Sequence, residues 1–151
     1  MQAIVEKKSH TAKSLLLSGS KKRIAYISSL HQGSKHDYTM LQTCFPAEQH
    51  WFKSLTLRLD LGFQGFQDLY QCRKVYLPIK KKRVAKAQSN ELSEAQKQWN
   101  KQQAQQRIGV EHSIGGMKRY RILSNRLRLK STALIDTIIG VCAGLWNFIL
   151  N

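Results

Sequence analysis

Two carboxylates in this sequence occupy places where chemistry can be done. Asp60 closes the alternating apolar run LTLRLDL (55–61), and the C-terminal ends of strands in open α/β sheets are where ligands and reactive groups are presented. Glu111 lies within RIGVEHSIGGMKR (107–119). At about 100° per residue, Arg107, Glu111, Gly115 and Lys118 fall within about 40° of one line, beside an apolar stripe of Val110, Ile114 and Met117. A carboxylate at a strand end and another on a helix packed against that sheet can hold divalent metal beside a phosphate. Mg²⁺ favours a few carboxylates plus phosphate oxygens and water, and two such ions about 4 Å apart serve an in-line phosphoryl displacement. Each acid also has a plainer reading. Asp60 could simply cap the turn before Gly62, and Glu111 could form an ordinary (i, i+4) pair with Arg107 on a solvated face. Against the second stands Gly115, which leaves an open patch one turn beyond the acid, between two cations.

The composition surrounds these acids with positive charge. The chain has 151 residues, with 25 Lys+Arg against 9 Asp+Glu and a formal net charge of +16. At 42% hydrophobic with 2 Pro and 9 Gly, it is too apolar for a disordered basic tail and fits one domain of ordinary size. Its charge favours a polyanion: DNA, RNA or an anionic membrane surface. Four basic runs stand out: Lys21 to Arg23; Lys80, Lys81, Lys82 and Arg83; Lys118, Arg119 and Arg121; and Arg126, Arg128 and Lys130. With so few acids interspersed they cannot all be neutralised internally. Trp51, Trp99 and Tyr120 could stack on bases, although Trp99 reads more simply as a helix anchor. The scattered Cys44, Cys72 and Cys142 form no zinc pattern and suit a reducing cytoplasm. No apolar leader opens the chain.

The elements that must position Asp60 and Glu111 follow from period and punctuation. Thr11 to Leu17 and Arg23 to Leu30 read as a hairpin across Ser18-Gly19-Ser20-Lys21, with Ile24, Tyr26 and Ser28 sharing one face. HDYTMLQTCF reads as a helix stopped by Pro46. Leu55 to Leu61 and Val75 to Ile79 read as strands. A basic, polar loop spans 80–92. Ser93 and Gln96 have capping-box spacing, so a long helix should run to about Tyr120, its Gln/Lys/Asn-rich first half exposed and Gly115-Gly116 a place for a kink. Thr132 to Leu150 reads as a buried core helix. It is nearly long enough to cross a bilayer and carries Gly140 and Gly144 at GxxxG spacing, but Asp136 and Asn147 oppose that alternative. The expected fold class is α/β, a mixed sheet covered by helices.

KKSHT (7–11), GSKHD (33–37), LDLGFQG (59–65), the Lys-rich loop into ELSEAQKQWN (91–100), and RIGVEHSIGGMKRYRIL (107–123), in this order, resemble the catalytic domain of bacterial insertion-sequence transposases of the DDE superfamily. The resemblance implies a single RNase H-like domain over 1–151 and Mg²⁺- or Mn²⁺-dependent cutting and joining of transposon-end and target DNA by three acids. Asp60 matches the second Asp of that triad and Glu111 its Glu, as catalytic and metal-ligating residues. Arg107, Lys118 and Arg119 match basic positions that accompany the Glu, and with Arg121 and the 80–83 run they are expected on the DNA backbone, where Lys and Arg position rather than read sequence. Asp37 matches the position after GSxH, a capping or loop-ordering role; Gly115 is read as structural, apart from the resemblance.

The first Asp of the triad has no counterpart here. Glu6 stands too close to KKSHT, and Glu48 follows Pro46 in a polar loop. The expectation is therefore an N-terminally truncated catalytic domain that lacks its first strand, with the two-metal site formed only in the complete domain. Alone it would bind DNA without cutting it. The missing acid would come through a split reading frame, by a ribosomal frameshift or from a separate chain, the upstream transposase half; the alternative is a catalytically dead basic DNA-binding remnant, whose partner would be intact transposase. Either would be cytoplasmic, nucleoid-associated and without a membrane partner.

Overall fold

In a computed structural model, residues 2–3, 12–19, 21–81, 91–125, 129 and 131–150 are described. KKSHT, Glu6, Lys82, Arg83, Arg126, Arg128 and Lys130 lie outside them. The strands are β1 (Gln2–Ala3), β2 (Ala12–Lys13), β3 (Leu15–Ser18), β4 (Ile24–Ile27), β5 (His31–Gln32), β6 (Thr56–Arg58) and β7 (Lys74–Tyr76). The helices are α1 (Asp37–Cys44), α2 (Phe66–Leu69), α3 (Glu94–Lys118), α4 (Arg121–Ser124) and α5 (Thr132–Ile149). The content is mixed α/β. The single mixed sheet expected from the sequence is not realised among the described residues: strand pairing falls into antiparallel β1-β3-β4, antiparallel β2-β5 and parallel β6-β7.

The β3–β4 hairpin forms as its turn chemistry predicts. Gly19 N–H donates to the Arg23 carbonyl at 2.9 Å, and Lys22 takes a left-handed backbone, φ 62°. Facing assignments depart from simple alternation. Leu17 opposes Tyr26 while Ser18 opposes Ile24, so Ala25 is an extra residue, a bulge that reverses the side-chain order. Ile24 therefore lies in one core with Ile27 against it, and Tyr26 packs on the other. The expectation that Ile24 and Tyr26 share a face fails for this reason.

Strand β3 is the wall between two cores, since successive side chains on a strand point to opposite faces. Leu15 enters an aromatic core with Leu41, Phe45, Phe52, Leu59, Phe63, Phe66 and Tyr70. There Phe66 stacks on Tyr70 at 4.8 Å, and the Tyr70 hydroxyl donates to the Phe45 carbonyl at 2.7 Å; burial pushes its pKa up to about 12. Leu16 enters a helical core with Ile24, Met117, Ile135, Ile139, Cys142, Ala143 and Trp146. Both leucines are fully buried.

Helix α5 is one-sided. Ile135, Ile139, Cys142, Ala143 and Trp146 are buried, whereas Leu134, Val141, Leu145, Phe148 and Ile149 are exposed. The buried core helix expected from the sequence is thus buried along one face. By length and composition it is apolar enough to cross a membrane, yet the polar residues that interrupt it bond β4 and the segment that follows it. Asn147 brackets Ile24, accepting from its N–H and donating to its carbonyl, both at 2.8 Å. Asp136 accepts from Leu30 N–H at 2.8 Å.

Candidate active site

Local sequence places Asp60. Leu59 is buried in the aromatic core, and the chain then turns into a 3-10 segment, Leu61–Phe63, whose N-cap is Asp60. Its Oδ1 accepts the Leu61 N–H at 2.7 Å, the turn-capping role that the sequence left open. The same oxygen also accepts Nη1 of Arg107 at 2.8 Å. The strand that leads to Asp60 is shorter than Leu55 to Leu61, because the capping turn takes over after Arg58.

The turn is seated against α1. A Cβ added at Gly62 would lie 2.6 Å from Asp37 Oδ2, so a larger residue there would have to push the Asp37 carboxylate aside. Asp37 is held by Lys13 Nζ at 3.3 Å. The capping half of the Asp37 expectation is corrected: the N-cap of α1 is His36, whose ring accepts from Tyr38 N–H. Asp37 is the first helical residue, where its charge suits the helix dipole and its ion pair joins α1 to β2.

Helix α3 brings Glu111 and the basic residues into place. Its N-terminus has the full capping box, with Ser93 and Gln96 bonded reciprocally. The Gln-rich first half is mostly exposed, yet one row of it is tied to the β6–β7 side. Trp99 Nε1 donates to the Leu77 carbonyl at 3.2 Å, and Trp99 stacks on Tyr76. Asn100 brackets Ile79, accepting at 2.8 Å and donating at 3.0 Å. Gln103, buried, accepts from Arg58 at 2.9 Å. Arg107 to Asp60 is the next bond in this row, and Glu111 follows one turn later. The row is polar, so hydrophobic periodicity could not find it; its 3–4 residue spacing in Trp99, Asn100, Gln103 and Arg107 was the available signal.

Glu111 itself is exposed, and no ion pair with Arg107 exists among the described residues. Arg107 is spent instead on Asp60, with side-chain exposures of 14% and 33% for the two partners. Its Nε is buried without a hydrogen-bond partner. Gly115 is open, with nothing within 4 Å of an added Cβ, whereas Gly116 is the packing glycine: a Cβ there would run into the Trp146 ring. The helix continues through both. Ser113 completes this second face by donating to the Lys22 carbonyl at 2.7 Å, to which Trp146 Nε1 also donates at 3.0 Å.

The other expected DNA-contacting cations are less tightly grouped. Lys118 is half-buried, and Arg119 and Arg121 are exposed where α3 gives way to α4. Lys80 and Lys81 are exposed on an open cleft of about 1010 Å³ lined also by Gln64, Gly65, Asp68 and Pro78. Gln64 Nε2 donates to the Pro78 carbonyl at 3.1 Å. The loop that begins at Asp60 therefore ends on the cleft that Lys80 and Lys81 border.

Among the described residues no group of three or more His, Cys, Asp and Glu could hold an ion, and the Oδ1 of Asp60 already accepts two N–H donors.

Residues 5–147 match the family described as DDE superfamily endonuclease. No curated protein and no solved structure was found to be similar to the chain.

Proposed function

From the premise that this chain belongs to the DDE superfamily endonucleases, we propose that it supplies Asp60 and Glu111 to an RNase H-like core, spanning 1–151, that cuts and joins DNA at the ends of a bacterial insertion sequence. Such endonucleases typically use divalent metals, and Mg²⁺ or Mn²⁺ would supply Lewis-acid stabilisation of the transferring phosphoryl group. The observation that carries the reading is the meeting of the Asp60 turn with the α3 row that contains Arg107 and Glu111. Arg107, on the helix that carries Glu111, reaches the strand-end acid Asp60, and Lys80, Lys81, Lys118, Arg119 and Arg121 would hold the DNA backbone.

The third carboxylate, in this proposal, comes from an upstream transposase half, joined by a frameshift or supplied as a separate chain. The proposed place of work is the cytoplasm, at the nucleoid. The chain by itself binds DNA and does not cut it. A supercoiled-plasmid assay with Mg²⁺ or Mn²⁺ should show no nicking by the purified 151-residue chain. Metal-dependent nicking that Asp60→Asn abolishes would overturn the claim of inactivity, and failure to bind labelled duplex at low salt would overturn the DNA reading itself.

The pairing of Asp60 with Arg107 favours a second reading, a basic DNA-binding remnant without chemistry. Adding an Asp-bearing upstream segment separates the two. The split-enzyme reading expects cleavage to return; the remnant expects none.

A further inference from the structure

We propose that Arg107 is a built-in counter-ion of Asp60 that competes with a divalent cation for its carboxylate, so that the cation enters only when the guanidinium leaves. The proposal rests on the reading of Asp60 as a metal-ligating acid. Asp60 Oδ1 accepts from Leu61 N–H at 2.7 Å and from Arg107 Nη1 at 2.8 Å. A carboxylate oxygen has two lone-pair directions, so both are taken. The Leu61 donor is fixed by the backbone of the turn. The donor that can depart is the arginine side chain.

A cation approaching from another side would still stand a few ångströms from the guanidinium charge, which opposes its binding. The arginine is also incompletely satisfied where it is. Arginine commonly grips a carboxylate through two parallel N–H···O bonds. Here one nitrogen makes the ion pair, and Nε is buried with no acceptor. A buried donor without an acceptor is costly, and a guanidinium that leaves Asp60 for a position where Nε–H finds an acceptor recovers that cost. Lys118 and Arg119 lie on or just beyond the same helix as further cations, and Arg107 is the one whose ion pair with Asp60 carries the argument. Arg107 is a positioning residue in this scheme, acting through Asp60.

The test is Mn²⁺ titration of the 151-residue chain, with free Mn²⁺ read by electron paramagnetic resonance. Arg107→Met removes the charge and keeps a long side chain; it should tighten Mn²⁺ binding by about tenfold or more, the order expected for removing a nearby like charge in a half-exposed site. Arg107→Lys keeps the charge and should stay close to the parent. Unchanged, weaker or absent Mn²⁺ binding in a folded Arg107→Met protein overturns the proposal. Adding Asp60→Asn to the Arg107→Met background distinguishes the two levels of argument. If the added substitution leaves Mn²⁺ binding intact, the reading of Asp60 as a metal ligand fails. If it abolishes binding while Arg107→Met binds no tighter than the parent, the counter-ion proposal fails alone. Should Arg107→Met not fold, the Arg107 Nε–H resonance of the parent protein gives the answer: Mg²⁺ should shift it, and an unchanged resonance at saturating Mg²⁺ overturns the proposal.

Discussion

At Gly116 the ring of Trp146 occupies the space that a side chain would need, whereas at Gly115, its neighbour, an added methyl group meets nothing within 4 Å. Gly116→Ala forces either the indole or α3 to move and should cost about 1–3 kcal/mol, the range for overpacking a well-filled core. Gly115→Ala gains helix propensity without a clash and should be neutral or stabilising by up to about 1 kcal/mol. Urea denaturation of the two variants checks both, and similar midpoints would contradict the structure. The sequence marks both as helix glycines beside a candidate acid, and the one singled out from it was Gly115. Which of the two packs depends on the direction of Trp146, 30 residues away in the chain, and no local pattern carries that. Asp60 was more legible. Both readings of it were visible from the strand end and the following Gly62, and the structure shows the cap directly, with Arg107 added by tertiary packing.

Among elements, α5 depends on polar anchors as much as on its apolar face. Asn147 takes both backbone groups of Ile24, and Asp136 takes the Leu30 N–H. Asn147→Ala leaves that N–H and carbonyl without their partner and should cost about 1–3 kcal/mol, the penalty for an unmet partly buried pair of groups. The apolar contacts of Trp146 and Ile139 would remain. Thermal unfolding followed by circular dichroism checks it, and an unchanged melting temperature would mean that the two bonds contribute nothing net. The apolar length of α5 was plain in the sequence, as were the two residues that interrupt it. Their partners were not, since they lie more than 100 residues away. Helix α3 repeats the lesson: the capping box was read from Ser93 and Gln96 alone, but the row from Trp99 to Arg107 acquires meaning only when the β6–β7 segment lies beside it.

At the scale of the whole molecule, a net charge of +16 should make duplex binding fall steeply with salt. The log–log slope should be about −0.9 for each phosphate neutralised, and Lys80→Gln with Lys81→Gln should flatten it by up to about 2. Fluorescence anisotropy across a salt series measures this, and a slope unmoved by the double substitution would place the DNA away from the cleft. The sequence by itself determined the mixed α/β content, the hairpin, the capped long helix and the basic character, because period, caps, turns and net charge are local or additive properties. Membership of the DDE superfamily endonucleases was also legible there, from motifs in a fixed order. Only the tertiary structure decided that β3 divides two cores, that a bulge at Ala25 sends Ile24 and Tyr26 apart, and that Arg107 faces Asp60. Those are outcomes of which distant surfaces pack together, and a side chain at the edge of a helix takes its partner from whatever that packing brings within reach.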